Sequence, residues 1–297
     1  MSNPPLAEAA EAAVHAPSIH NTRPWRWEVR ADRLALHAER GRQLAATDPD
    51  GRMLDLSCGA ALQHARLALL ARGWETEVRY QSDPDLLAEL VPTARVEPAA
   101  PAMRLVRAMP ARHTDRRPLA DVPLPAGTID ALRAAAAGLA RFHLLTADQV
   151  LLLASAAHHA AEIEAEDPRI RAELAYWTSR SDGTGLSPAA LPARPPRTTV
   201  PARDFGRPGT LPVGDGHDKH ARFALLYGDD DERASWLRAG AALTNVWLTA
   251  VGLGVSLVPL SGAIEVSATR ERLRGILAGL GHPYLVLRLG VPDPATA

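Results

Sequence analysis

A helix-length segment occurs twice in this chain. Residues 58–78 read CGAALQHARLALLARGWETEV and residues 239–259 read AGAALTNVWLTAVGLGVSLVP. Gly59, Ala60, Ala61 and Leu62 match Gly240, Ala241, Ala242 and Leu243 at an offset of 181 residues, and Gly73 and Gly254 keep that offset. Both segments space their apolar residues as an amphipathic helix does, with a glycine near the end that takes up a left-handed cap at little cost. Two alanine-rich helices can look alike without being related, but glycines aligned at both ends favour a duplication. A duplication requires the chain to fold as two similar units within one polypeptide.

The chain has 297 residues, room for one or two domains, and 46% of them are hydrophobic, ample for a buried core. The formal net charge is −1 with no basic stripe, so neither nucleic acid nor another polyanion is an expected partner. No run of about 18 apolar residues occurs, so no membrane span is expected. The opening MSNPPLAEAAEAA carries neither the basic stretch nor the apolar core of a secretory signal, which points to the cytoplasm. The single cysteine, Cys58, has no partner for an internal disulfide and reads as a small buried hydrophobe.

Periodicity and turn residues predict an α+β chain. Helices are expected over residues 6–15, 55–72, 129–137, 147–164, 168–180, 231–252 and 268–277, and strands over 25–29, 34–37, 76–81, 141–145 and 283–289. Asp83 and Pro84 are expected to open a short helix through Val91. Residues 94–108 alternate but contain Pro98 and Pro101, which predicts an edge strand or a linker. Residues 182–218 are rich in proline and glycine without a periodic run, and a loop of that length is as a rule functional or disordered.

Two polar stretches stand out. Residues 16–29 read APSIHNTRPWRWEV, and residues 112–138 read RHTDRRPLADVPLPAGTIDALRAAAAG. In an extended RHTDRR, Arg112, Thr114 and Arg116 point to one face and present two cations and a hydroxyl to a ligand. The planar fork of arginine pairs with phosphate oxygens two at a time. By itself such a stretch also reads as a solvated basic turn, and Trp25 and Trp27 read as strand core. His158 and Glu162, one helical turn apart, fall far short of a metal site and read as a solvated face.

Together the two stretches resemble the flavin-binding elements of the nitroreductase family, where an RRSxR-like segment, a helix and an APSxxNxQPW-like segment follow one another in a short chain. Here the first stretch has no RRSxR before it, and the second has GLARFHLLT where an APSxxN would follow. Each half of the chain has kept what the other lost. The resemblance is strongest to the Acg subgroup, fused-dimer flavin proteins of actinobacteria. It implies two nitroreductase-type halves, each a helix-flanked, mainly antiparallel sheet. They would divide as 1–108 and 109–297, with an insertion at about 182–218. One FMN site would form between them, in a pseudo-dimeric monomer that could pair further.

The resemblance also assigns residues. It places Arg112 on the phosphate, Thr114 by the ribityl or phosphate group, and Arg116 by the pyrimidine side of the ring, with His113 among them. Pro17, Ser18 and Asn21 would form the other wall, with Arg23 standing where the family has glutamine. His20 either faces the cavity or caps the turn. The stretch GLGVSLVPLSG at residues 252–262 would pass the N5 edge of the flavin. Pro259 has no N–H, so Leu260 or Ser261 would donate there. The family's further C-terminal basic residues are absent. Arg288, the last cation, serves the phosphate, or fewer charges hold it. The chemistry implied is hydride transfer from NAD(P)H through FMN to a nitroaromatic or quinone-like acceptor, with no protein acid or base required. A second reading is flavin storage under a lid made by residues 182–218, with Leu186, Leu191 and Phe205 as its apolar contacts. A third is a relative that binds no flavin.

Overall fold

Two four-stranded sheets carry the same strand order. The computed structural model describes residues 3–214 and 217–293. The chain begins with α1 (Leu6–Ala12), β1 (Trp25–Val29), β2 (Leu34–Ala38), α2 (Arg52–Ala71), β3 (Trp74–Tyr80), β4 (Leu86–Arg95) and α3 (Ala100–Ala108). There follow α4 (Thr128–Ala136), β5 (Arg141–Leu144), α5 (Ala147–Glu166), α6 (Pro168–Thr178) and β6 (Arg222–Gly228). The last elements are α7 (Arg233–Gly252), β7 (Ser256–Leu260), α8 (Gly262–Glu265), α9 (Ser267–Ile276) and β8 (His282–Gly290). The sheets run β1-β2-β4-β3 and β5-β6-β8-β7, with every neighbour antiparallel. In each, one long helix, α2 or α7, connects the second strand to the third. This is the α+β architecture of two similar sheet-and-helix units that the repeated segment requires.

The two long helices are buried against each other, and their contact repeats itself. A Cβ on Gly59 would lie 2.0 Å from the carbonyl oxygen of Leu237, and one on Gly240 would lie 1.9 Å from that of Leu56. Both pairs are related by the same 181-residue offset, so each helix presents one patch to the equivalent patch of its mate, as in an isologous dimer interface. The polar contacts one turn on obey the same rule. Gln63 donates to Asn245 at 2.9 Å, and the equivalent pair, Thr244 and His64, approaches to 3.4 Å. At the helix starts the rule holds for the arginines but not for their carboxylates: Arg52 forks onto Asp231 at 2.7 and 3.0 Å, whereas its counterpart Arg233 reaches Asp55 at 3.7 Å rather than Asp50, the equivalent of Asp231. Gly73 and Gly254 both have positive φ, 78° and 68°, just past their helices. Cys58 is fully buried in α2, and burial pushes its thiol pKa up.

Four sequence expectations are corrected. Residues 83–91 do not open a helix. The Asp83 carboxylate instead accepts the N–H groups of Asp85 and Leu86, both at 2.8 Å, forming a turn that leads into β4. Pro92 is tolerated within that strand because it faces Thr76 beside a register shift. Residues 100–108 form α3, where Pro101 falls in the first turn and its missing N–H costs nothing. β6 was not expected at all. Phe223, Ala224, Leu225 and Leu226 are all buried, and a central strand covered on both faces loses the alternation that announces a strand. Residues 256–260, for which no strand was expected, form an edge strand, β7.

Gly59→Ala or Gly240→Ala should destabilise the protein by more than about 3 kcal/mol, because the helices must separate and their packing is lost. Gly252→Ala, where no atom lies within 4 Å of the new methyl, should instead stabilise by about 0.5–1 kcal/mol. Urea unfolding of the three variants checks both expectations.

Candidate functional site

A cleft of about 1180 Å³ lies between the two units, and every site residue singled out from the sequence lines it. Pro17, Ser18, His20 and Asn21 come from the turn before β1, and Arg112, His113, Thr114 and Arg116 from the segment before α4. Pro259, Leu260 and Ser261 come from the end of β7, and Arg288 from β8. The long-helix pair supplies Met53, Leu56 and Ser57 on one side and Leu243 and Trp247 on the other. The contact between α2 and α7 thus forms part of the cleft wall.

The turn before β1 is strained and pinned. His20, Asn21 and Arg23 have φ of 44°, 55° and 48°, a left-handed conformation that non-glycine residues adopt at some cost. Ser57 of α2 accepts the N–H of Ile19 at 3.0 Å, and Ser18 accepts the N–H of Arg23 at 3.0 Å. These contacts hold His20 and Asn21 at the cleft wall. Trp25 and Trp27 pack as partly buried strand residues.

The basic segment carries two kinds of arginine. Arg117 is paired with Asp115 at 2.7 Å, on the side away from the cleft. Arg112 stacks over the Trp247 ring, 4.5 Å from its centroid, and donates to the carbonyl of His15 at 3.2 Å. Arg116 lies 5.4 Å from the Phe205 ring centroid and donates to the carbonyl of Ala190 at 3.0 Å. Among the described residues neither has a carboxylate partner. Burial lowers both pKa values to about 10, with Arg203 adding to the effect at Arg116. Both remain cationic at neutral pH and are half-buried, and their guanidinium forks suit an anion in the cleft.

Arg288 is committed differently. It forms an ion pair with Asp218 at 3.2 Å and donates to the carbonyls of Arg117 and Asp115 at 2.5 and 3.5 Å. Asp218 in turn accepts the N–H of Leu119 at 2.8 Å. Arg288 thus fixes the backbone of the segment that carries Arg112 and Arg116.

Residues 179–214 fold over the cleft, and residues 215 and 216 of the expected 182–218 insertion lie outside the described residues. The segment is ordered by its own backbone hydrogen bonds, such as Leu211 N–H to Leu191 at 3.0 Å and Gly209 N–H to Pro192 at 3.0 Å. Leu186 and Leu191 are buried, and Phe205 meets the His20 ring edge-on at 5.7 Å. Asn21 clasps the segment: its amide donates to Gly183 and Gly185 at 3.2 and 3.0 Å, and its carbonyl accepts from Gly185 at 3.1 Å.

A second latch involves residues that the sequence did not announce. Arg203 donates to Glu164 of α5 and Glu265 of α8, both at 2.5 Å, and to His20 Nε2 at 2.7 Å. Its side chain is 9% exposed, and those of Glu164 and Glu265 are 8% and 1% exposed. Burial alone would lower the Arg203 pKa, but the two carboxylates raise it. Burial, then the charges of Arg203 and Arg116, hold His20 well below the usual histidine range, so its ring is neutral.

Several known proteins are similar to this chain along most of its length. The Mycobacterium tuberculosis protein Rv3131, named as a candidate NAD(P)H nitroreductase, is 36% identical over 94% of this chain and 82% of its own length. Acg of the same organism, named likewise, is 31% identical over 98% of this chain and 92% of its own. The chain belongs to the nitroreductase-like family that includes Acg. A further relative in that organism, Rv3127, bears the name of an uncharacterized protein and is 32% identical over 98% of this chain and 88% of its own. No family model matches the chain. Among solved structures, an FMN-bound nitroreductase from Bacteroides fragilis covers 65% of this chain and 90% of its own at 14% identity and a TM-score of 0.41, too distant to bear on the site. No helix among the described residues is long and apolar enough to cross a membrane.

The latch leads to a specific expectation for this family member. Arg203→Met leaves two buried carboxylates without their cation, which costs about 3–5 kcal/mol where both stay charged. The covering segment should then become sensitive to limited proteolysis between residues 179 and 214. Adding Glu164→Gln and Glu265→Gln should restore most of the resistance.

Proposed function

We propose that the cleft binds one FMN between the two units and that the protein is an NAD(P)H-dependent flavin oxidoreductase. One observation carries the reading: two half-buried arginines, Arg112 and Arg116, face the cleft without carboxylate partners among the described residues. A phosphate, with nearly two negative charges, would compensate them. The names of the nitroreductase relatives and the family's flavin motifs support the same group.

On this reading Arg112 holds the phosphate, with Thr114 and His113 beside it. Arg116 sits toward the ring and favours negative charge there. Pro17, Ser18, His20 and Asn21 form one wall, and Pro259, Leu260 and Ser261 form the facing edge. Arg288 acts by orienting residues 115–117. When bound, the flavin supplies hydride acceptance from nicotinamide and electron delivery to a small acceptor, nitroaromatic or quinone-like. The chain supplies position, charge and exclusion of water. The units would be the fused halves 1–108 and 109–297, and the protein would work in the cytoplasm.

The closed cover favours a second reading, flavin storage without turnover. Asn21 and Arg203 bind the cover to the cleft wall, and a nicotinamide must displace it. Anaerobic NADPH and NADH separate the two. Bleaching of the bound flavin's visible spectrum is the expected result. A spectrum that persists with both, yet bleaches with dithionite, would establish storage instead. A protein that takes up no FMN would overturn both readings.

Arg112→Met and Arg116→Met should each weaken FMN binding about 10- to 100-fold, the scale of a charge-assisted contact. The same variants without FMN should melt no lower than the parent, because each removes a half-buried charge that has no carboxylate partner among the described residues. Fluorescence titration and thermal melts check the two halves of this expectation.

A further inference from the structure

His20 is a residue whose chemistry the fold has set with unusual care. Its side chain is 7% exposed and lines the cleft. Its backbone is held left-handed at φ 44°, beside two more non-glycine residues with positive φ. An arginine can only donate, so the 2.7 Å contact from Arg203 Nη1 makes Nε2 the acceptor. In a neutral ring the proton must then sit on Nδ1. That Nδ1–H is buried and has no hydrogen-bond partner among the described residues. A buried donor left unmade costs about 1–3 kcal/mol, and a fold keeps such a cost where a ligand relieves it.

We propose that His20 donates a hydrogen bond from Nδ1 to a molecule bound in the cleft, and that Arg203 is the positioning residue that selects the donating tautomer. The partner is a neutral lone-pair acceptor, a carbonyl or nitro oxygen or a ring nitrogen. It belongs either to the flavin ring or to the electron acceptor above it. A neutral imidazole cannot surrender this proton cheaply, so His20 orients the ligand rather than protonating it.

The groups around His20 explain why Arg203 is needed. Arg116 approaches from the segment before α4, while Glu164 and Glu265 approach from α5 and α8 and touch His20 only through Arg203. Arg203 brings a positive charge to Nε2 and excludes the doubly protonated ring. Because Arg203 belongs to the cover, the donor is set only while the cover is closed. Closure and ligand recognition are therefore one event at this residue.

The ligand part rests on the flavin reading, whereas the tautomer part does not. Nitrogen-15 histidine spectra of the whole protein should show His20 protonated at Nδ1, bare at Nε2 and unchanged from about pH 5 to 8. In Arg203→Met the ring should lose its fixed tautomer and show mixed Nδ1 and Nε2 protonation, while burial and Arg116 still hold its pKa below the usual histidine range. A His20 that titrates normally in the parent, or keeps its tautomer without Arg203, overturns the role of Arg203. FMN is then added, followed by menadione. A shift of the Nδ1–H signal with FMN assigns the partner to the flavin, and a shift only with menadione assigns it to the acceptor. Binding of both without any shift overturns the donor. If FMN fails to bind, the flavin reading falls, and the tautomer spectra still decide the role of Arg203. In binding, His20→Asn keeps a δ donor and tolerates the left-handed backbone, so FMN or menadione affinity should stay within about threefold. His20→Gln keeps an acceptor for Arg203 but loses the δ donor, so affinity for the same partner should fall about tenfold, one hydrogen bond's worth.

Discussion

The close approach of α2 and α7 at Gly59 and Gly240 is the constraint on which the rest of the molecule depends. A glycine inside a helix costs about 1 kcal/mol relative to alanine, and this chain accepts that cost twice at equivalent positions. In return, the backbone of each helix touches the other, at the carbonyls of Leu237 and Leu56. The contact is self-complementary, so one solution serves both units. It fixes the spacing between the sheets, and with it the cleft that Leu56, Ser57, Leu243 and Trp247 line from the two helices. Ser57 shows how directly the site depends on this helix pair: it accepts the Ile19 N–H and so holds the strained turn that carries His20.

Charge is distributed over the cleft with equal economy. Arg117, Arg288 and Arg203 are matched by carboxylates, and each of them organises backbone or cover. Arg112 and Arg116 differ from these three, resting on aromatic faces and single carbonyls. The paired arginines build the walls, and on the proposed reading Arg112 and Arg116 are the ones that meet the phosphate. The covering segment joins the two sets, because Arg203 and Phe205 sit within reach of His20 and Arg116. The strength of the two latches on the cover, at Asn21 and at Arg203, therefore separates the turnover reading from the storage reading.

Much of this was legible in the sequence, for reasons that differ by residue. The repeat exposed the helix pair because glycine at a close contact cannot drift. The two half-motifs exposed the cleft because they are local stretches with a distinctive order of residue types. Arg203, Glu164 and Glu265 gave no signal: each is a single charged residue in a different element, 39 to 101 positions apart, and only the fold brings them together. β6 was hidden because burial on both faces erases alternation. The turn at Asp83 was misread because the same aspartate side chain can cap a helix or start a strand turn, and only the partners of its oxygens distinguish the two.

The central claim is a single flavin site made by two fused units, and its stoichiometry tests it most directly. Purified protein freed of flavin would be titrated with FMN and the bound fraction counted against chain concentration. The account predicts saturation at one FMN per chain, with that one lost when Arg112 and Arg116 are both replaced by methionine. Saturation at two per chain, or binding unaffected by the double replacement, would contradict it.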